Sequence, residues 1–227
     1  MQQLVDHFCE QGDRENKRVF LDFTLPLGGT LLDLGCGNGE FTASVAKKAE
    51  AESVYGVEIS ETKALAAKEQ GVKVTVGNLN RRLPFVDEFF DTVSANQIIE
   101  HLVDTDTFIE EVKRVLKRDG QLVISTTNLA ALHYRMQLLV GQLPVCLHPA
   151  NVQFGNFLRG EKNPIHGHKS IFTHTAFLEF LVFHGFNVQQ AGTVSLYPFS
   201  AGIGRILLRA FPTIGVFSTL RVGKRHS

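Results

Sequence analysis

The segment Asp33-Leu34-Gly35-Cys36-Gly37-Asn38-Gly39 places three alternate glycines where an apolar run gives way to an amphipathic stretch. Glycine at such a bend admits positive φ and lets the backbone come within van der Waals distance of a ligand, while the following helix offers unpaired N–H groups. A nucleotide-like ligand suits this spacing; the plain alternative is a tight strand-to-helix turn that binds nothing. A dinucleotide fingerprint requires G-x-G-x-x-G, and after Gly35 and Gly37 the third position is Glu40, an acid that would face a pyrophosphate. NAD, and with it an NAD-linked oxidoreductase, is therefore disfavoured. No G-x-x-x-x-G-K-[ST] run supports a nucleoside triphosphate site.

Two further residues have side chains suited to such a site. Glu58 lies 19 positions after Gly39, behind the apolar run SVYGV. A carboxylate there can accept both protons of a ribose diol, or it can simply cap the next helix in water. His101, in IIEHL, is a candidate general base, and packing or capping of the local turn is the equal alternative. A second histidine group, His148, His166, His168 and His174, invites a metal reading. Its spacings lack the helical pair of histidines with a glutamate between them, so solvated or pocket-lining rings are expected and no metal ligands are assigned.

These residues need elements to position them. From Thr30 onward short apolar runs alternate with longer amphipathic stretches, the pattern of βαβ units in a mainly parallel sheet. Strands are expected at TLLDLG, SVYGVE, VKVTVG, FFDTVSAN, QLVISTTN, FNVQQAGTVSL and residues 216–222. Helices are expected before Thr30, over 39–49, 61–70 and about 104–117, ended by Gly120, then in THTAFLEFLVFHG and around 204–211. The class this implies is α/β, a doubly wound, mainly parallel seven-stranded sheet with helices on both faces. A single domain is expected, with an N-terminal helical segment (1–29), a binding core (30–128), an insertion (129–171) and C-terminal helices and strands (172–227).

Composition bounds the rest. The chain has 227 residues, 44% hydrophobic and 20% charged, which fits one large globular domain. With 23 Lys plus Arg against 23 Asp plus Glu, net charge names no partner. The distribution is uneven, because no acid follows Glu179 while Arg205, Arg209, Arg221, Lys224 and Arg225 do. Cys9, Cys36 and Cys146 form no CxxC pair, which suits a reducing cytoplasm. The charged N-terminus lacks the apolar centre of an export signal, and the apolar tracts are too interrupted to span a bilayer.

The run LLDLGCGNGEF, residues 31–41, resembles the first motif of class I S-adenosylmethionine-dependent methyltransferases. Similar landmarks continue in order with GVEIS, VGNLNRRLPF, FDTVSANQIIEHL and VKRVLKRDGQLVISTTN, spanning roughly 30–128. The resemblance implies a Rossmann-like methyltransferase fold, S-adenosyl-L-methionine as cofactor, and a methyl transfer by in-line displacement. It implies that Asp33, Gly35, Cys36, Gly37, Gly39 and Phe41 form the first cofactor motif, with Asp33 orienting the loop near the methionine amino group. Glu58 and Ile59 follow at the ribose, and Asn78 and Leu79 at the adenine. Asn78 departs from the acid usual there; its amide oxygen could still accept the adenine amino proton, or it could serve only a turn. Asn96 and Gln97 would pass beneath the sulfur and offer backbone carbonyls to the amino-acid end. His101 would then lie near the methyl group.

The phrase HGHKSIFTHTAFLEFLVFHGF is similar to a segment of small-molecule, quinone and cell-surface-glycan methyltransferases, so the expected acceptor is a small molecule, a lipid-linked compound or a glycan. Asn96-Gln97-Ile98-Ile99 lacks the prolines and aromatic ring of nucleic-acid amine methyltransferases, and no nucleic-acid partner is expected. The helix around 204–211 carries Arg205 and Arg209 beside Ile206, Leu207 and Phe211. It is expected to cover the sheet, with weak peripheral contact at the inner membrane face as the alternative. A cofactor-binding protein without transferase activity is the competing function from another class.

Overall fold

A computed structural model describes residues 2–147, 150–157, 159–161, 168–197, 199 and 201–225. The elements run α1 (Gln2–Phe23), β1 (Thr30–Leu34), α2 (Glu40–Ala49), β2 (Ser53–Glu58), α3 (Glu61–Glu69), β3 (Lys73–Val76) and β4 (Phe90–Asn96). A 3₁₀ turn (Ile99–His101) leads to α4 (Thr105–Val115), β5 (Leu116–Thr127), α5 (Leu132–Leu139) and a second 3₁₀ turn (Val145–Leu147). The chain continues through α6 (His174–Phe183), β6 (Phe186–Val194), α7 (Ala201–Ala210) and β7 (Phe217–Lys224).

The seven strands make one sheet in the order β3-β2-β1-β4-β5-β7-β6. β1 pairs in parallel with β2 on one side and β4 on the other, and β7 runs antiparallel between β5 and β6. β1 reads as an almost unbroken buried run because helices cover both faces. On one face Phe20 and Phe23 of α1 meet Val45 and Ala49 of α2 over Leu31 and Val123. On the other, Phe108, Ile109 and Val112 of α4 and Phe177 and Leu181 of α6 pack on Leu32, Leu34, Val93 and Leu122. Because the connections leave β1 toward β2 and return at β4, a crevice opens above the carboxyl ends of β1 and β4, where ligands of doubly wound sheets bind.

Two expectations need correction. The helix of 104–117 stops at Val115, and Gly120 does not end it. Leu116 already has extended geometry and pairs with Phe90, after which residues 117–120 bulge before Gln121 pairs with Thr92. Lys117 closes the bulge on both carboxylate oxygens of Asp91, at 2.8 Å each. A side chain on Gly120 would place Cβ 2.8 Å from the Asp91 carbonyl oxygen, so that glycine serves close backbone approach. The second correction concerns α7. It lies against β6, with Gly204 meeting Leu196 and with Leu207 and Leu208 half-buried, but Ile203, Ile206 and the following Phe211 are exposed, so it covers the sheet only in part. Among the described residues, no helix is long and apolar enough to cross a membrane.

Candidate active site

The glycine bend takes the conformation its sequence demands. Gly35, Gly37 and Gly39 have φ of 78°, 55° and 86°, and Gly39 sits at the N-terminal cap of α2. The Gly35 and Cys36 N–H groups donate to the Val57 carbonyl at 2.8 and 3.3 Å, which fastens the loop to the end of β2. A Cβ on Gly35 would lie 2.7 Å from Cδ1 of Ile98, so the loop after β4 packs directly against the bend. Gly37 differs, because nothing lies within 4 Å of the position its Cβ would occupy. The bend therefore has one closed flank and one open cradle.

Glu58 closes the far side of that cradle. Its Oε2 accepts the Gly37 N–H at 3.0 Å and its Oε1 accepts the Ser60 N–H at 2.9 Å. The carboxylate is buried to 8% exposure, and each oxygen retains a lone pair beyond the bond it makes. Asp33 is also buried and is spanned by two hydroxyls, Thr42 Oγ1 at 2.5 Å on one oxygen and Ser94 Oγ on the other. Burial holds its carboxyl above the ordinary range even though both hydrogen bonds pull the other way. Asp33 thus ties β1 to α2 and β4 at the root of the bend. Cys36 lies under the loop, its Sγ 2.6 Å from where a Gly56 Cβ would stand, and burial pushes its thiol up to about 12. Phe41 turns toward α1, edge-on to Phe20 with ring centroids 5.6 Å apart.

The loop after β4 is held from below. Asn96 Oδ1 accepts from Asn16 Nδ2 at 2.8 Å and from Ser125 Oγ at 2.6 Å, and Thr219 Oγ1 donates to Asn16 Oδ1 at 2.9 Å. Gln97 is held at φ 53°, a left-handed conformation uncommon for a side-chain-bearing residue, and its N–H donates to the Ser125 carbonyl at 3.1 Å. With its amide oriented to accept from the Thr126 N–H at 3.2 Å, Gln97 donates to Glu100 Oε1 at 3.0 Å.

The residues after β3 are arranged differently. Asn78 is exposed, and its Oδ1 accepts from both the N–H and the Nδ2 of Asn80 at 2.9 Å, which commits that oxygen to the turn. Leu79 points into the core, and Ile59 is 69% exposed beside Glu58. Asn80 Oδ1 accepts from Val103 N and Asp104 N at 2.9 and 3.1 Å, joining this loop to the one after β4.

His101 is exposed in the 3₁₀ turn after β4, and the His168 ring meets it edge-on with centroids 4.9 Å apart. Burial, then the neighbouring His101, pushes His168 down to about 4. Glu100 is 1% exposed, accepts from Thr126 Oγ1 at 3.0 Å, and is pushed up to about 7 by burial. His174 is buried in the first turn of α6 with Nδ1 3.2 Å from Ser218 Oγ, a packing role. His148 and His166 lie outside the described residues.

Sequence reasoning missed Asn16, Asn80, Glu100 and Ser125 as parts of this region. For Asn16 a signal exists: it shares a helical face, at i, i+4 and i+7, with Phe20 and Phe23, so its amide had to be buried and bonded.

Comparison with known proteins finds methyltransferases. Residues 32–124 match the family model described as a methyltransferase domain. An uncharacterized protein of Methanocaldococcus jannaschii is 38% identical over 53% of this chain and 60% of its own length. The mitochondrial ubiquinone biosynthesis O-methyltransferase of Bos taurus is 29% identical over 52% of this chain and 34% of its own. The chain thus spans only about a third to three fifths of these two relatives. Among solved structures, an S-adenosylmethionine-dependent methyltransferase of Mesorhizobium loti superposes with a TM-score of 0.62 at 18% identity, covering 91% of this chain and 96% of that one, which shows the shared fold.

Proposed function

We propose that this chain, whose residues 32–124 match a methyltransferase-domain family model, is an S-adenosylmethionine-dependent methyltransferase that moves the methyl group of S-adenosyl-L-methionine to a small-molecule acceptor. The observation that carries this reading is the open flank of Gly37, a residue whose N–H is bonded to the buried Glu58 carboxylate. A nucleoside fits there because the bend brings backbone to the ligand without a Cβ, while Glu58 keeps acceptor capacity for two hydroxyls. When bound, the cofactor supplies a methyl group already activated on a sulfonium. The protein's own task is alignment and exclusion of water.

Glu58 accepts the ribose hydroxyl protons. Gly35, Cys36, Gly37 and Gly39 shape the floor, and Asp33 fixes it through Thr42 and Ser94. Ile59 offers an apolar side chain beside the sugar, and the turn of Asn78 and Leu79 borders the adenine end. The backbone of Asn96 and Gln97 faces the amino-acid end, and Phe41 braces α2 against α1. His101 takes the acceptor proton. Residues 30–128 form the cofactor-binding core of the single domain, and 129–171 contribute to the acceptor side.

The likeness to a ubiquinone biosynthesis O-methyltransferase supports a small organic acceptor over a glycan. The exposed Ile203, Ile206 and Phe211 beside Arg209 support weak contact with an anionic lipid surface, from which a lipid-linked acceptor could be drawn. Cys9, Cys36 and Cys146 form no disulfide with one another, which suits the cytoplasm.

Incubation with methyl-labelled cofactor and a metabolite extract tests the reading. Label should appear in an organic product, and His101→Ala should slow its appearance by about 10²-fold with unchanged cofactor affinity. Cofactor binding without any labelled product would favour a binding protein that transfers nothing.

A further inference from the structure

The three side chains Glu100, His101 and His168 each present one ligand atom, and these atoms all lie within 4.8 Å of one another. Two imidazoles and one carboxylate are the donor set of open, three-ligand zinc sites, and they suit magnesium or calcium poorly because those ions prefer oxygen. The grouping is built by long-range contacts. Glu100 and His101 are neighbours in the turn after β4. The segment carrying His168 is fastened to that turn, since Lys169 N and Ser170 N donate to the Glu100 carbonyl at 2.6 and 3.1 Å, and Ser170 Oγ donates to the Leu102 carbonyl at 2.8 Å.

Two observations point to a ligand. His168 Nδ1 is buried and has no hydrogen-bond partner, a state that buried polar nitrogens rarely keep without a bound group. The Glu100 carboxylate is oriented by Thr126 Oγ1 at 3.0 Å and by the Gln97 amide at 3.0 Å, as outer partners orient a ligating carboxylate, and each oxygen retains a lone pair.

We propose that Glu100, His101 and His168 bind a divalent transition-metal ion, zinc being the best suited, beside the end of β4. Binding requires a small closure of the cluster, because zinc ligands lie about 2.0–2.2 Å from the ion. The ion would leave one coordination position open toward the crevice. A second consequence rests on the methyltransferase reading: the lone pair His101 gives to a metal cannot also take a proton, so zinc and the general-base role exclude each other.

Calorimetric titration of the metal-free full chain with zinc chloride tests the site, with cobalt(II) as the spectroscopic probe. The expected result is one zinc per chain, and cobalt bands of the d–d type without thiolate-to-cobalt charge transfer. His168→Ala and His101→Ala should each weaken binding by more than about tenfold while melting like the parent; His168→Gln replaces the alanine variant if that one unfolds. No zinc binding, thiolate absorption, or equal binding by parent and variants would overturn the proposal. A parallel titration with S-adenosylhomocysteine separates the two readings, because failure there removes the cofactor site and leaves the metal result standing. Where both bind, added zinc should lower the labelled-methyl transfer rate; a rate unchanged at saturating zinc would remove the mutual exclusion.

Discussion

At the scale of single residues, Gly35 and Gly37 separate folding from binding. Alanine at Gly37 incurs about 1–2 kcal/mol for its positive φ but meets no atom within 4 Å. It should therefore stay folded while its methyl group fills the cradle and weakens S-adenosylhomocysteine binding tenfold or more. Alanine at Gly35 carries the same φ penalty and drives Cβ to 2.7 Å from Ile98, adding about 1–3 kcal/mol of overpacking. Chemical denaturation beside calorimetry checks the contrast; a Gly37→Ala protein that binds like the parent would contradict it. The buried thiols give a pH dependence. Cys36 and Cys146 are both pushed up to about 12 from an ordinary 9.0, chiefly by burial. Between those values the unfolded chain releases the thiol protons first, so stability should fall as pH rises from about 9 toward 12. At pH 8 iodoacetamide should alkylate exposed Cys9 and spare the other two, read by peptide mass spectrometry. Glu58 was legible in the sequence because a carboxylate follows a buried apolar run at a fixed distance from the glycines. The meeting of Glu100 with His168 was not, since nothing local specifies that a segment 68 positions later returns to that turn.

At the scale of elements, the strands and most helices were readable from alternation and amphipathic period, with ends shifted by a few residues. The errors have physical causes. Val112, Val115 and Leu116 continue an apolar pattern that a buried helix and a buried strand share, so the change at Leu116 from one to the other is invisible to periodicity. The apolar face of α7 looked like full sheet cover, but only packing decides how much of such a face finds a partner: Leu207 and Leu208 are half-buried, and Ile203 and Ile206 are exposed. α1 makes the sharpest claim at this scale, because Asn16 reaches across to Asn96 at the end of β4 and to Thr219 of β7. Asn16→Ala leaves buried partners short of a hydrogen bond and should lower stability by about 1–3 kcal/mol. It should also weaken cofactor binding, since Asn96 loses an anchor. Thr219→Val removes the other end of the network and should lower stability with little effect on affinity. Equal affinity loss in both variants would show that α1 acts only through global stability.

At the scale of the whole molecule, a doubly wound sheet with β1 between β2 and β4 brings three separate carboxyl-end loops to one crevice. The glycine bend, the Glu58 turn and the Gln97 loop meet there, although they span residues 35–97. The fold was legible because each βα unit is written locally; the stretch 129–171, proposed to serve the acceptor, was not, because its sequence lacks a regular period. The central claim is that this crevice binds S-adenosyl-L-methionine. Isothermal titration of the folded chain with S-adenosylhomocysteine tests it most directly. One equivalent should bind with measurable heat, and Glu58→Ala should abolish that heat while still folding, its melting temperature lowered because the Gly37 and Ser60 N–H groups lose their acceptor; a folded parent chain that releases no heat, or a folded Glu58→Ala chain that binds as well, would contradict the account.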